Sequence, residues 1–171
     1  MCIRDSIDTS YAFGTGLHAT TRFMAQFAES CEGKYLSFID IGTGTGILAL
    51  MALKCGAKQV TAIDLTKDII EIANMNFKEN GYIHQRAQAI NFEKFNTKKK
   101  YDYVAANLVT IDLIHFSKKL LRLVNQGRYL AVSGISHMNY PLFRKTFDQL
   151  PLKCIKCEKA DGWYALLYKR I

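Results

Sequence analysis

Three polar features of this sequence could carry chemistry, and each follows an apolar run typical of a buried strand. Asp40 is followed by glycines at positions 42, 44 and 46, while Asp64 and Asn107 end two later runs. Glycines let the main chain turn sharply and approach a ligand closely, and a carboxylate accepts hydrogen bonds from ribose hydroxyls. An asparagine amide both donates and accepts. Together these features predict a site for a nucleoside-like ligand.

The spacing of the glycines favours one kind of nucleoside over another. A dinucleotide-binding turn has glycine at its first, third and sixth positions. Counted from Gly42, the sixth position is Ile47, and the third glycine falls one place early, at Gly46. The pattern D-x-G-x-G-x-G instead resembles motif I of class I S-adenosylmethionine-dependent methyltransferases. It therefore favours a methyl donor over a nicotinamide dinucleotide, and the helix that follows should offer its N–H groups to an anionic group.

The same three features should meet at one edge of a sheet. Asp64 lies 22 residues after Gly42, the spacing at which the second strand of a doubly wound sheet delivers an acid to a ribose diol. Ligands of open α/β sheets bind outside the carboxyl ends of the strands. We therefore expect Gly42, Asp64 and Asn107 to surround one ligand.

The rest of the chain alternates apolar runs with amphipathic segments, the pattern of an α/β protein. A first helix should begin at the Thr20–Thr21 pair with a threonine N-cap. A hairpin signal, Asp161-Gly162, lies near the end. Further predicted helices cover residues 47–54, 66–80, 111–124 and 142–150. Predicted strands cover residues 38–41, 59–64, 83–90 (weakly), 101–107, 129–135, 152–158 and 163–169. We expect a Rossmann-like fold with a seven-stranded, mostly parallel sheet and an antiparallel C-terminal hairpin at its edge.

Composition narrows the class of protein and its surroundings. The chain has 171 residues, enough for one domain, and lacks both an apolar run that could span a bilayer and a signal-peptide core, so we expect a cytoplasmic protein. Its five cysteines include one C-x-x-C, Cys154–Cys157, without the second pair that zinc would need, so we expect reduced thiols and no metal. The net charge of +8 and the run Lys98–Lys100 favour acidic partners such as nucleic acid or ribosomes, although a solvated loop is the preferred explanation for the run alone.

Several segments are specific enough to suggest a family. They are A-F-G-T-G-x-H-x-T-T from Ala12 to Thr21, the turn from Asp40 to Gly46, Ala105–Leu108, Ser133–Ile135 and Gly162–Leu166. This set resembles the ribosomal protein L-eleven methyltransferase family, a class I methyltransferase family. The resemblance implies S-adenosyl-L-methionine as the cofactor. It places donor contacts at Thr21, Gly42, Gly44, Asp64 and Asn107, with Phe13 walling the site near the sulfonium or packing in the core.

The resemblance also implies a reaction, N-methylation of lysine side chains and an α-amine on a large-subunit ribosomal protein. Asn107 would hold the amine by its side-chain oxygen, without a dedicated base; His18 could shuttle a proton or serve the structure of the turn. Two alternatives stay open. One is an RNA base methyltransferase, which the charge would suit but which usually has Pro-Pro and an aromatic residue where this chain has Leu108-Val109. The other is a donor-binding fragment without substrate turnover.

The domain organisation differs from the family pattern at the start of the chain. Residues 1–7 fit nothing that follows and are expected to be a non-native or disordered start, and residues 8–171 to form the catalytic domain. The N-terminal substrate-recruiting domain of the family is absent from this stretch. The chain reads Asp8-Thr9-Ser10 where Asp-Pro-Gly is usual, and Thr66 replaces a usual second acid. We expect a monomer whose partner is the ribosomal protein.

Overall fold

The computed structural model describes Gly16 and residues 18–171. Within these residues seven strands form one sheet: β1 (Ser37–Ile41), β2 (Gln59–Asp64), β3 (Ala87–Ala89), β4 (Tyr101–Asn107), β5 (Val124–Ser136), β6 (Leu152–Ala160) and β7 (Trp163–Arg170). The α-helices are α1 (Ala19–Ser30), α2 (Ile47–Lys54), α3 (Lys67–Glu79), α4 (Thr110–His115), α5 (Ser117–Leu123) and α6 (Tyr140–Phe147), and a 3₁₀ turn covers His137–Asn139. The predicted start at residues 1–7 and Phe13 lie outside the described residues.

The strands follow the order β3-β2-β1-β4-β5-β7-β6. The first five are parallel neighbours, and β7 pairs antiparallel with both β5 and β6. This confirms the predicted seven-stranded sheet with its antiparallel C-terminal edge. Ile41 is in register with Ile63 on one side and with Ala106 on the other, so the residues that follow these three positions emerge side by side.

Helices cover both faces of the sheet, because alternate residues of each central strand point to opposite sides. On one face Ile39, Val104 and Leu130 belong to a core that α4, α5 and α6 complete. On the other face Phe38, Tyr103 and Ala131 pack with residues of α1 and α2. The strands are therefore buried on both faces, which is why their sequences read as continuous apolar runs.

The glycine turn between β1 and α2 is held by close packing. Gly46 has a φ of +82°, and a Cβ atom at this position would lie 2.8 Å from the Phe77 ring of α3. Asn76, also on α3, donates its Nδ2 hydrogen to the carbonyl of Thr45 at 2.9 Å. The turn needs glycine at position 46 because the backbone is left-handed there and α3 leaves no space for a side chain.

The structure corrects three predicted details. Helix α1 is capped by His18, whose side chain accepts from the Thr20 N–H, and not by a threonine. The single helix predicted over residues 111–124 is two helices that meet at Phe116, and Val124 already belongs to β5. Phe116 turns toward Phe92, with ring centroids 5.0 Å apart, and this contact accompanies the break. The strand weakly predicted over residues 83–90 covers only three residues, Ala87–Ala89.

The C-terminal hairpin forms as predicted. Asp161 and Gly162 both have positive φ values, 53° and 78°, as a two-residue turn between twisted antiparallel strands requires. The carbonyl of Gly162 accepts from the N–H of His137, which ties the hairpin to the end of β5. None of the helices in the described residues combines the length and apolar character needed to cross a membrane.

Candidate active site

A cavity of about 420 Å³ opens at the carboxyl ends of β1, β2, β4 and β5. Four of the predicted site residues line it together: Gly42, Gly44, Asp64 and Asn107. The other residues of its wall are His18, Thr20, Ile69, Leu108, Val109, Asp112, Gly134 and Trp163. The volume lies within the range of small-molecule sites, about 300–1,000 Å³. The convergence expected from the strand ends is therefore present in the fold.

A smaller cavity of about 260 Å³ adjoins the first and shares Gly42, Asp64, Leu108 and Asp112 with it. Most of its remaining wall is apolar and comes from Ile41, Ile63, Leu65, Ile90, Phe92 and Phe116, with Asn91 as a polar neighbour. Two acidic side chains, Asp64 and Asp112, thus lie between a larger, mixed cavity and a smaller, mostly apolar one. A ligand with a ribose between an aromatic base and a polar chain matches that division.

The Asp64 carboxylate is fixed by the main chain. Its Oδ2 accepts from the Gly44 N–H at 2.9 Å, and its Oδ1 accepts from the Leu65 N–H at 2.7 Å. The N–H groups of Gly42 and Thr43 both donate to the carbonyl of Ile63, so the glycine turn and the end of β2 form one unit. Each carboxylate oxygen keeps capacity for a further hydrogen bond, which is what a pair of vicinal hydroxyls needs.

Asn107 is oriented from the α1 side of the cavity. Its Nδ2 donates to Thr20 Oγ1 at 3.4 Å, and Thr20 Oγ1 lies 2.8 Å from His18 Nδ1. A consistent direction is for Asn107 to donate to Thr20 and for Thr20 to donate to His18. The amide hydrogens thus point toward α1. Within the part of the chain that the structure describes, no group is given as a donor to Asn107 Oδ1, which therefore keeps capacity to accept a hydrogen bond.

His18 serves the structure at the cavity mouth. Besides capping α1, its ring meets the edge of Trp163 with the ring centroids 5.6 Å apart. Since its Nδ1 receives hydrogen bonds from Thr20, this nitrogen is not exposed to a reacting group. The structural role considered for His18 from the sequence agrees with these contacts.

Of the two other predicted donor contacts, Thr21 does not line this cavity, and Phe13 lies outside the described residues. Thr21 is 2% exposed and lines a separate cavity of about 300 Å³ between α1 and α2, together with Gly16, Arg22 and Ile47. Its neighbour Thr20 is the threonine that reaches the main cavity. For both residues, contact with a donor stays a prediction from the family pattern.

Sequence reasoning missed several wall residues. Thr20, Trp163, Gly134 and Leu108 all lie in segments of the family pattern, so the signal that could have found them was their inclusion there. Asp112 gave no such signal, because an acid in the first turn of a helix is common for reasons of helix stability. In the fold it adds a second carboxylate to the wall shared by both cavities.

The buried Asp40 lies beneath the glycine turn. Burial and, to a smaller extent, the nearby charge of Asp64 raise the pKa of Asp40 to about 7, although a hydrogen bond from Thr43 Oγ1 at 2.7 Å opposes this shift. The backbone N–H of Ala49, in the first turn of α2, lowers the pKa. The start of α2 thus faces a buried carboxyl group of the chain itself.

The raised pKa of Asp40 predicts a pH-dependent stability. The folded chain holds this proton more tightly than the unfolded chain, so the group's contribution is fully present below about pH 4 and is lost as the pH rises to about 7. Asp40→Asn stays neutral throughout. Urea denaturation measures the free energy of unfolding of both proteins. The value for the variant minus the value for the wild type should rise by about 1.4 kcal/mol per pH unit from pH 4 to 7. A difference that does not change with pH would contradict the assignment.

Asp102→Asn is the control for that experiment. Partial burial opposes ionisation of Asp102, but hydrogen bonds from Leu36, Asn125 and Ser37 together with the charge of Arg128 lower its pKa. Its contribution is present above about pH 4 and is lost only as the pH falls further, so this variant should show no gain between pH 4 and 7.

The two thiols of the C-x-x-C motif are not part of the site. Cys154 and Cys157 are exposed free cysteines on β6, at the edge of the sheet. Among the described residues no group of three or more His, Cys, Asp or Glu side chains is placed to hold a metal ion.

The strand order and the cavity at the carboxyl ends define the Rossmann-like class I methyltransferase fold. The structure of N-methyltransferase NodS from Bradyrhizobium japonicum WM9 in complex with S-adenosyl-L-homocysteine has this fold, with a TM-score of 0.71 and 12% sequence identity over 90% of this chain and 89% of that one. At that identity the likeness shows the fold alone.

Comparisons at higher identity lead to one family. The model of the family described as Ribosomal protein L11 methyltransferase (PrmA) matches residues 2–171. The crystal structure of a ribosomal protein L11 methylase from Lactobacillus delbrueckii subsp. bulgaricus superposes with a TM-score of 0.86 and 28% identity, over 96% of this chain and 83% of that one. A ribosomal protein L11 methyltransferase of Legionella pneumophila subsp. pneumophila is 33% identical over 162 residues, 95% of this chain and 55% of that one.

The chain belongs to the ribosomal protein L11 methyltransferase family. The resemblance stated from its motifs is thereby confirmed. The chain spans about half the length of the curated relatives it matches.

Proposed function

We propose that this chain binds S-adenosyl-L-methionine and transfers its methyl group to amines of ribosomal protein L11, on lysine side chains and at the α-amine. The observation that carries the proposal is the single cavity lined by the glycine turn, Asp64 and Asn107 in a chain of this family. Residues 8–171 would form the catalytic domain and act as a monomer in the cytoplasm, the compartment of ribosomal proteins.

The residues of the cavity fit the donor. The Asp64 carboxylate would accept from the ribose hydroxyls, and the smaller apolar cavity beside it would take the adenine ring. Gly42 and Gly44 let the main chain approach the ligand. A Cβ atom at Gly42 would project into the cavity wall, where it would lie 2.6 Å from Leu108 Cδ2. When bound, S-adenosyl-L-methionine supplies an electrophilic methyl group on a positively charged sulfur.

The substrate amine must arrive without its proton, because the lone pair is the nucleophile. At pH 7 deprotonation costs about 4.6 kcal/mol for lysine, whose ordinary pKa is about 10.4, but only about 1 kcal/mol for an α-amine. Removal from water lowers the amine pKa and reduces this cost. Asn107 Oδ1 would accept an N–H of the amine and orient its lone pair, and the Asp112 carboxylate would attract the protonated amine to the cavity.

Asp64→Ala should weaken binding of S-adenosyl-L-methionine by about 1–3 kcal/mol, or roughly 5- to 150-fold in Kd, because the ribose hydroxyls lose their acceptor. Titration calorimetry measures this directly. Asp68→Ala is the matched control, since it removes the same charge from the exposed first turn of α3 and should change the Kd less than twofold. Unchanged affinity in Asp64→Ala would exclude Asp64 as a donor ligand.

The function is tested with a radiolabelled methyl donor. The chain is incubated with labelled S-adenosyl-L-methionine and either ribosomal protein L11 or naked ribosomal RNA. Label in the protein supports the proposal, and mass spectrometry then identifies the modified amines. Label in RNA alone would refute it in favour of a base methyltransferase. Donor binding without label in either substrate would favour the alternative of a donor-binding fragment without turnover.

A further inference from the structure

A third cleft lies near the opposite edge of the sheet from the candidate active site. It has a volume of about 370 Å³ and lies between the segment that follows β3 and helix α5, with Lys94, Phe95, Thr97, Lys119 and Arg122 in its wall. Leu123 in its wall directly precedes β5, whereas the candidate active site lies at the carboxyl ends of the strands. Among the described residues none lines both this cleft and either cavity of the candidate active site, although Glu93 of the cleft directly follows Phe92 of the smaller cavity.

The surroundings of this cleft are strongly basic. We define the basic cleft as Lys94, Phe95, Lys98, Lys99, Lys100, Lys118, Lys119 and Arg122. Seven of these side chains are cationic, and the two segments that supply them, residues 93–100 and 117–123, contain one acid, Glu93. The ion pairs that the structure gives, Arg128–Asp102 and Arg144–Asp148, lie outside the cleft. Much of the chain's net charge of +8 is therefore concentrated here.

Side-chain contacts fix the shape of the cleft. Lys119 Nζ donates to the carbonyls of Phe92 at 2.5 Å and Glu93 at 2.9 Å, and lies 4.8 Å from the Phe92 ring centroid. These contacts bind α5 to the segment after β3. On the other side, Thr97 Oγ1 accepts from the Lys99 N–H at 3.0 Å, and Lys99 Nζ lies 4.9 Å from the centroid of the Tyr101 ring. The lysine run is thus anchored at its middle.

We propose that the basic cleft binds the phosphate backbone of single-stranded RNA, with Phe95 as a stacking surface for a base. Cationic grooves with aromatic side chains are typical of single-strand binding sites, whereas lysine is depleted in protein–protein interfaces. Phe95 suits this role because it packs partly on the core and also lines the cleft. The cleft is separate from the methyl-transfer cavity, so both can be occupied at once, and the inference does not depend on the proposed function.

The test is fluorescence anisotropy with a labelled 12-nucleotide RNA. The wild type should bind, and binding should weaken about 20- to 50-fold between 50 and 200 mM salt if three or four phosphates are contacted. A triple variant, Lys94→Ala, Lys98→Ala and Lys100→Ala, should bind at least tenfold more weakly at 50 mM salt. It leaves the anchored Lys99 and Lys119 in place, so the fold should be kept, and unchanged binding of S-adenosyl-L-methionine in calorimetry checks this.

A second triple variant is the matched control. Lys58→Ala, Lys78→Ala and Lys145→Ala removes three exposed lysines from other surfaces, so both variants have a net charge of +5 in place of +8. The control should bind RNA within twofold of the wild type. Equal weakening of RNA binding in the two variants would overturn the proposal, because the attraction would then come from the total charge. An absence of RNA binding by the wild type would also overturn it.

Two further measurements examine the chemistry of the partner. Phe95→Leu keeps an apolar side chain but removes the aromatic face, and should weaken RNA binding at least fivefold; an unchanged Kd would remove Phe95 from the site. Competition with polyglutamate of the same charge should displace the RNA poorly. Displacement as effective as that by unlabelled RNA would overturn the proposal in favour of an acidic polypeptide partner.

Discussion

Gly134→Ala is expected to lower the free energy of unfolding by about 3–5 kcal/mol, a large effect for the addition of one methyl group. Gly134 has a φ of +87°, and a Cβ atom there would lie 2.1 Å from the carbonyl oxygen of Leu108. The loop cannot simply move away, because Leu108 N–H donates to the Ser133 carbonyl and Thr110 Oγ1 donates to the Gly134 carbonyl. Urea unfolding measures the loss.

Gly127→Ala separates the steric clash from the backbone strain. Gly127 also lies in β5 and has a similar φ of +73°, but a Cβ atom there would meet nothing within 4 Å. Gly127→Ala should therefore lower the free energy of unfolding by about 1–2 kcal/mol, the cost of placing alanine in the left-handed conformation. Equal losses in the two variants would show that the contact between Gly134 and Leu108 contributes nothing. Because Gly134 and Leu108 both line the main cavity, the Gly134 variant should also bind S-adenosyl-L-methionine more weakly.

Asn107→Ala is expected to lower kcat for methyl transfer about 100-fold while changing the donor Kd less than threefold. The reason is that Asn107 Oδ1 would orient the amine, and misplacement of a reacting group by about 1 Å can cost a factor of 100. Single-turnover assays with labelled donor give the rate, and calorimetry gives the donor affinity. Equal losses in rate and affinity would make Asn107 a binding residue only. This prediction rests on the proposed function.

Thr20→Val is the control that detects a purely structural role. It removes the hydroxyl that receives the Asn107 hydrogen bond but leaves the Asn107 side chain intact. If Asn107 acted only by joining β4 to α1, Thr20→Val would reproduce the kcat loss of Asn107→Ala. If Asn107 contacts the amine, Thr20→Val should lower kcat less than tenfold, since the backbone of β4 still places the amide in the cavity.

The sequence was sufficient for the sheet and for the polar edge of the main cavity. The apolar runs that end in Asp64 and Asn107 can be recognised in the sequence because strands buried on both faces consist mostly of apolar residues. Parallel strands present their carboxyl ends at one edge of the sheet. The glycines at positions 42, 44 and 46 mark a turn where the main chain is left-handed at all three. Four of the predicted ligand-contact residues could therefore be placed in one cavity without knowledge of any contact.

Other features depend on packing that no local pattern records. Thr20 and Thr21 are adjacent on one helix, so they point about 100° apart, and only the position of α1 on the sheet decides which one reaches the cavity. The break at Phe116 leaves the apolar periodicity of the segment unchanged, because both halves pack on the same core. Lys119 and the run Lys98–Lys100 are distant enough in sequence that their shared surface appears only in the fold.

The position of β7 has a consequence for synthesis of the chain. This last strand lies between β5 and β6, so β6 leaves the ribosome before its only neighbour in the described sheet exists. Trp163, at the start of β7, completes the wall of the main cavity beside His18. Co-translational folding can therefore assemble the parallel strands early, but the complete wall of the cavity must wait until β7 has left the ribosome. A nascent chain that stalls before Trp163 has been added would keep the glycine turn and still lack one wall of the site.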